Sequence, residues 1–381
     1  MGTDSKINKI RVGIIFGGKS MEHEISLMSA TSIINAIDKE KFEIVLIGIT
    51  KEGHWLKYNG PVELIESSKW EEIAKREHNE NRFSNLELIA KKQSLKVVDV
   101  KASVLGYSGT SLNKDVDVVF PVLHGPLGED GTIQGLFEMI NIPYAGCGVL
   151  ASAVSMDKAI SKEIFQKAGL PICKYLLVLK EELEDNIDNV IAKIEGELAY
   201  PLFVKPSNMG SSVGISKALN TKELLEALSQ AVRHDRRIVV EEGVSARELE
   251  VGIVGNYRAK ASIVGEIIPS KEFYDYEAKY FDGGKSKMSI PADITESLSK
   301  EIREMAIKAY KAIDGTGFAR IDFFLDKNNG NVFINEINTI PGFTKFSMFP
   351  QLWENTGVPY KDTIEKIIQL AFERFNSRKQ L

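Results

Sequence analysis

The chain has 381 residues, 43% of them hydrophobic and 27% charged, which suits a globular protein of two or three domains around sizeable cores and excludes a disordered one. Its 48 basic and 53 acidic residues give a net charge of −5 with no basic block, so a nucleic-acid partner is not expected. No apolar run reaches the roughly 18 residues of a membrane span, the opening MGTDSKINKIRV lacks the apolar stretch of a signal peptide, and two cysteines with five scattered histidines form neither a disulfide framework nor a zinc spacing; a cytoplasmic protein without a membrane partner is expected.

Ile10 to Phe16 is a continuous apolar run that predicts a buried strand. Ser26 to Ile37 repeats Leu27, Ala30, Ile33, Ile34 and Ile37 at helical spacing, and Phe42 to Ile49 predicts a second strand. This β-α-β opening argues for a parallel sheet. Gly13 to Ser20 fits the phosphate-loop pattern G-x-x-x-x-G-K-S, but Gly13 falls inside the predicted strand and Met-Glu-His-Glu follows, setting carboxylates where polyphosphate would lie. A strand-to-helix turn whose helix N-terminus holds a small substrate, with Glu22 facing an ammonium group, fits better. Residues 60 to 115 are a charged elaboration with short strand signals around Leu95 to Val100. Asp117 to Leu123 predicts another buried strand. It delivers His124, in LHGPLGEDG, to the carboxyl end of a parallel strand, where open α/β sheets place ligands. A histidine there is as often a loop hydrogen-bonder as a reactant. A helix from Thr132 to Ile140 and the segment Pro143 to Gly148 close the unit.

A second region opens with a helix capped near Asp157, carrying Lys158 and ended by Gly169-Leu170-Pro171. Strands at Tyr175 to Leu179 and Leu202 to Lys205 follow. The second runs into Pro206-Ser-Asn-Met-Gly-Ser211-Ser-Val-Gly214, whose small residues let the backbone close over an anion while the Lys205 ammonium points at the same place. After a helix over 221 to 234 come strands at Ile238 to Glu242, Glu248 to Val254 and Ala261 to Ile267, the first two placing Glu241 and Glu248. The loop 270 to 291 holds FYDYEAKY, aromatic yet bounded by Gly283-Gly284 and lysines, which suits a lid better than a core. A helix from Glu296 to Ile313 precedes the most informative stretch, Gly317 to Gly342.

There, Arg320, Asp322 and Phe324 alternate with Ala319, Ile321, Phe323 and Leu325. A three-residue loop, Asn328-Asn329-Gly330, would set Asp322 opposite Glu336 and Arg320 opposite Asn338. Carboxylates facing each other about 5 Å apart repel unless a cation sits between them. Asp322, Glu336 and Asn338 supply hard oxygen ligands for Mg²⁺, and Arg320 would stabilise negative charge beside it. Just beyond, Pro341 to Ser347 offers backbone N–H groups and hydroxyls for a carboxylate or oxyanion. A last amphipathic helix spans 360 to 376.

With MDK at 156–158, VKPSNMGSSVG at 204–214, Glu241 and Glu248, FYDYEAKY at 273–280, ARIDFF at 319–324 and NEINTIPGFT at 335–344, joined by HEIS at 23–26 and LHGPLGEDGTIQG at 123–135, the chain resembles the D-alanine:D-alanine ligases of the ATP-grasp superfamily. The resemblance implies an α/β and α+β protein, an ATP-grasp fold behind an N-terminal parallel-sheet (pre-ATP-grasp) domain. Residues 1–146 would bind substrate, 147–240 form the central ATP-grasp lobe, and 241–381 the C-terminal lobe with lid loop 270–291 and metal-binding hairpin 318–338. It further implies ATP as substrate, held by Lys158, Lys205, Glu241, Glu248 and Lys279, with two Mg²⁺ or Mn²⁺ ions on Asp322, Glu336 and Asn338. Glu22 would take the ammonium of the first D-alanine, Ser211 and Tyr280 would link that domain to the lid, and His124 would lie near the substrate carboxylate. Arg320 and the Gly342 N–H would form the oxyanion hole, and Ser347 with Met348 would receive the second D-alanine. Tyr280 and Met348 resemble the dipeptide-forming members, with D-lactate or D-serine acceptors as the alternative. The implied product serves peptidoglycan synthesis, and the implied assembly is a homodimer.

Overall fold

The computed structural model describes residues 9–80, 116–210, 213–268 and 287–379. The N-terminal sheet runs in the order β3-β2-β1-β4, from β1 (Ile10–Gly17), β2 (Phe42–Ile49), β3 (Trp55–Tyr58) and β4 (Val118–Val122). β1 pairs parallel with both β2 and β4, as the apolar runs predict, while β3 is an unforeseen antiparallel edge. Gly13 sits in mid-strand between Val45 and Val119, which removes the phosphate-loop reading. Helix α1 (His23–Ala36) buries Leu27, Ala30, Ile33 and Ile34 against this sheet. Within the poorly legible segment lie α2 (Glu63–Glu66) and α3 (Trp70–Glu80); Trp70 is fully buried because Gly48 leaves room for its ring. The strand signals near Leu95 fall outside the described residues. Helix α4 (Thr132–Met139) completes the unit.

The central region contains α5 (Val149–Met156), α6 (Lys158–Lys167), β5 (Tyr175–Leu179), α7 (Lys180–Glu197), β6 (Leu202–Pro206), β7 (Ser216–Ala218), α8 (Thr221–Ala231) and β8 (Arg237–Glu242). Its sheet, β5-β8-β6-β7, is antiparallel throughout. Val178, Ile194, Leu202, Leu224, Leu228 and Val240 pack into a core of its own.

The C-terminal sheet has five strands in the order β11-β10-β9-β12-β13, namely β9 (Ala246–Val254), β10 (Lys260–Ile268), β11 (Lys287–Ser289), β12 (Phe318–Asp326) and β13 (Val332–Asn338). Helix α9 (Glu296–Ala312) covers its apolar face, burying Ile302, Ala306 and Ala309 beside Ile321 and Phe323. Helix α10 (Met348–Asn355) lies on the opposite face, where Gly252 and Gly265 clear space for Trp353, Leu352 and Met348. Helix α11 (Tyr360–Lys379) turns back to the N-terminal domain: Ile364, Ile367 and Ile368 share a core with Val118, Phe120 and Ile33. Phe343 joins the two, its ring centroid 5.9 Å from Phe120 and 5.6 Å from Phe318.

The hairpin reaches the expected pairing by a different route. Asp322 faces Glu336 and Arg320 faces Asn338, but nearer the turn Phe323 pairs with Ile334 and Leu325 with Val332. The connection is therefore the longer one from Lys327 to Gly330, and Asn335 is a bulge. The bulge lets Ile334 and Ile337 both enter the core while Glu336 and Asn338 stay on the polar face, which a strictly alternating strand cannot do.

Candidate active site

A cavity of 710 Å³ lies between the central and C-terminal sheets and reaches the N-terminal domain at Glu22 and His124. On its floor, Glu250, Asp322 and Glu336 form a row across β9, β12 and β13, each directly opposite the next. Such a row is held together by cations. Arg320, buried on the same face, donates to both oxygens of Asp322 at 2.7 Å and lies 2.9 Å from Glu250. Burial alone would lower the Arg320 pKa, but Asp322 and Glu250 beside it hold it well above the usual value. Asn338 also donates to Asp322, at 2.9 Å.

Two carboxylates and an amide on one ribbon suit a divalent cation that takes its other ligands from phosphate and water. Among the described residues no group of three or more His, Cys, Asp or Glu is placed to hold a metal by itself. The electrostatics favour such a centre: Glu336 lies within the fields of Lys158, Lys205 and Arg320, a cationic wall for phosphate next to an anionic floor for metal.

The lysines are set by two elements. Asp157 caps α6, its carboxylate accepting the N–H groups of Ala159 and Ile160 at 3.0 and 3.1 Å, which fixes Lys158 at the first helical position. Lys158 Nζ donates to the Met209 carbonyl at 2.6 Å, tying the helix to the glycine-serine loop. Burial and the nearby Lys205 hold the Lys158 pKa below its ordinary value. Lys205, near the end of β6, pairs with Glu241 at 2.5 Å, and the opposite Glu241 oxygen accepts from Lys162. Burial would push the Glu241 carboxyl up, but the two ammonium groups hold it at about 2. Glu241 is therefore a bridge between lysines, deeper in the lobe than Glu248, which lines the cavity.

At the other end, Glu22 precedes α1 and is buried. Gly125, at φ +74°, is required beside it, since a Cβ there would meet Glu22 Oε2 at 2.6 Å. Glu129 is held in the same wall by N–H groups of Gly125 at 2.7 Å and Ile340 at 3.0 Å. Burial and the Glu22 charge push its carboxyl up to about 8. His124 Nδ1 lies 2.9 Å from the Ile340 carbonyl, so it touches the loop after β13 as well as lining the cavity. Gly342 lines the cavity, with Ser347 Oγ beside it, 3.1 Å from where a Cβ would stand. Met348 departs from expectation: it is buried against Gly265, Ile267 and Leu352 and is not part of the cavity wall, because Gly265 leaves that space open to it.

The structure thus brings together Glu22, His124, Lys158, Lys205, Glu241, Glu248, Arg320, Asp322, Glu336, Asn338 and Gly342 around one cavity, with Ser347 at its edge. Ser211, Lys279 and Tyr280, and the lid up to residue 286, lie outside the described residues; residues 287–289 form the edge strand β11. Lys19 is exposed and not on the wall. Lys162, Glu129 and Glu250 were not anticipated. Lys162 had a readable signal, since it falls on the buried stripe of α6 with Ala159 and Phe165. Glu250 had one too, two residues from Glu248 and so on the same strand face.

Two α+β lobes closing on a lysine-walled, carboxylate-floored cleft, behind a parallel-sheet domain, define an ATP-grasp ligase. Two family models match the chain, described as D-ala D-ala ligase N-terminus over residues 11–147 and D-ala D-ala ligase C-terminus over residues 164–369. The D-alanine–D-alanine ligase of Acetivibrio thermocellus is 52% identical over 372 residues, covering 97% of each chain, and that of Ruminiclostridium cellulolyticum 50% identical over 375 residues, covering 98% of each. Among solved structures, the VanG D-Ala:D-Ser ligase from Enterococcus faecalis superimposes with a TM-score of 0.79 at 36% identity, covering 95% of this chain and 99% of that one. The D-alanine-D-alanine ligase from Coxiella burnetii follows at 0.78 and 32%, covering 98% of this chain and 96% of that one. The chain belongs to the D-alanine–D-alanine ligase family.

Proposed function

We propose that this protein joins two D-alanines at the expense of ATP, giving D-alanyl-D-alanine, ADP and phosphate for peptidoglycan precursors. The observation that carries this reading is the meeting in one cavity of the Glu250-Asp322-Glu336 row, the Lys158 and Lys205 wall, and Glu22 with Gly342. In this reading residues 1–146 bind the first substrate, while 147–240 and 241–381 hold the nucleotide between their sheets. Work in the cytoplasm and a homodimeric assembly complete it.

An amine does not attack a carboxylate at a useful rate, so the first D-alanine is activated. Its carboxylate oxygen attacks the terminal phosphorus of ATP, the bond to ADP breaks, and an acyl phosphate forms. Lys158 and Lys205 take the phosphate charge, and Glu22 holds the ammonium so that the carboxylate points at the lysine wall. Asp322, Glu336 and Asn338 would hold two Mg²⁺ or Mn²⁺ ions, which when bound neutralise charge on the transferring group. The free amine of the second D-alanine then attacks the acyl carbon, and the Gly342 N–H and Arg320 stabilise the oxyanion until phosphate leaves. Lys279, Ser211 and Tyr280 would close the site against water, which otherwise hydrolyses the acyl phosphate. Glu248 suits the ribose hydroxyls, Glu241 the adenine amino group, and Ser347 the acceptor carboxylate.

A second reading keeps the donor and changes the acceptor to D-serine or D-lactate; the 36% identity to the VanG D-Ala:D-Ser ligase is what favours considering it. Incubation with ATP, Mg²⁺ and D-alanine, with all three acceptors in competition, separates the readings. The dipeptide should dominate, and phosphate release without any dipeptide would sink the proposal.

A further inference from the structure

The loop that carries Gly342 is held by side chains of the N-terminal domain. The Ile340 peptide is gripped at both polar ends, its N–H by Glu129 at 3.0 Å and its carbonyl by His124 Nδ1 at 2.9 Å. The other ring nitrogen, Nε2, lies 3.3 Å from Ser29 Oγ, and that oxygen accepts the Phe343 N–H, also at 3.3 Å. Three residues along α1, Ser32 accepts the Lys345 N–H at 2.9 Å. Ser29 and His124 are buried, at 0% and 4% exposure, so these groups do not exchange freely with solvent.

The Ile340 carbonyl fixes one proton. A carbonyl can only accept, so Nδ1 carries hydrogen; in the neutral ring Nε2 then accepts, and takes the Ser29 hydroxyl proton. The Ser29 lone pairs remain for Phe343. The chain therefore runs from Phe343 N–H to Ser29, from Ser29 to His124, and from His124 to the Ile340 carbonyl, with Glu129 closing the other side. Between the two anchored peptides stands Gly342, whose backbone has no side chain to steady it.

We infer that Ser29 and Glu129 are positioning residues which, with His124 in its Nδ1-protonated tautomer, aim the Gly342 N–H at the oxyanion; the inference rests on the ligase reading above for what that N–H does. His124 thus acts through the loop. An oxyanion donor contributes only when held at the right place before reaction.

The tautomer is tested without any activity. Long-range proton–nitrogen NMR of the five histidines, with the His124 signal identified by its loss in His124→Asn and read where its ring is neutral, should show Nδ1 protonated and Nε2 bare. An Nε2-protonated ring overturns the inference, whichever substrate the enzyme proves to use. Kinetics test the clamp. Ser29→Ala should lower kcat for dipeptide about tenfold with the KM for ATP unchanged. In a His124→Asn background, where the Ser29–His124 link is already gone and only the Phe343 N–H contact remains, the same change should cost clearly less than it does alone. Losses that multiply, or a raised KM for ATP with kcat unchanged, reject the clamp. If the unsubstituted chain makes no dipeptide, the ligase reading fails while the tautomer result still stands or falls by itself.

Discussion

Glu241 shows how a single buried residue can serve stability and site at once. Its carboxylate is shared by Lys162 and Lys205, all three side chains being at least nine-tenths buried. Removing one member of such a group leaves uncompensated charge, so Glu241→Gln should cost about 3–5 kcal/mol in urea unfolding. The sign of the pH effect follows from the held-down carboxyl. Glu241 stabilises the fold above its ordinary value of 4.5, and the contribution is lost as pH falls from there to about 2. The wild-type chain should lose stability through that window more steeply than Glu241→Gln does. Asp322 answers to a different measurement. Arg320 donates to both of its oxygens. Asp322→Asn should weaken Mn²⁺ binding and lower turnover at least about a hundredfold, read by electron paramagnetic resonance and phosphate release. Sequence patterns showed Asp322, Glu336 and Asn338 together because alternation is local. Glu129 stayed hidden because Ile340, whose N–H it accepts, is brought to it only by the assembled fold.

At the scale of elements, the hairpin was legible at its polar face and misread where it turns. The pairing at Asp322 and Arg320 follows from two polar faces that must coincide, but a bulge and a longer turn cancel in the count and leave the same partners. Helix α7 was missed for another reason: its exposed acidic residues outnumber Val190, Ile191 and Ile194, so the apolar stripe is thin. The start of α6 was clear from Asp157. That residue does more than cap, since Ser207 donates to it at 2.7 Å and Arg237 at 2.9 Å. Asp157→Ala should therefore destabilise the central lobe by more than the 1 kcal/mol or so of an ordinary cap, about 2–4 kcal/mol. The same variant should raise the KM for ATP, because Lys158 and the Ser207 loop lose their common anchor.

Across the whole molecule, the three sheets are unequal partners. The central one encloses its own core, whereas the N-terminal and C-terminal units share one through Phe343 and α11. The last helix looked in the sequence like another amphipathic cover, and nothing local could say which sheet it covers. Burying Ile364, Ile367, Ile368 and Leu370 contributes about 6–12 kcal/mol at 1.5–3 kcal/mol each. That matches the whole net stability of a typical domain, about 5–15 kcal/mol. A chain ended after Pro359 should consequently fail to give a cooperative thermal transition for the N-terminal domain.

Synthesis on the ribosome meets this arrangement in the least convenient order. β1 emerges first, yet the helix that seals its sheet emerges last, roughly 20–70 seconds later at bacterial or eukaryotic elongation speeds. Through that interval the nascent sheet keeps an oily flank uncovered, which makes early strands natural clients for chaperones.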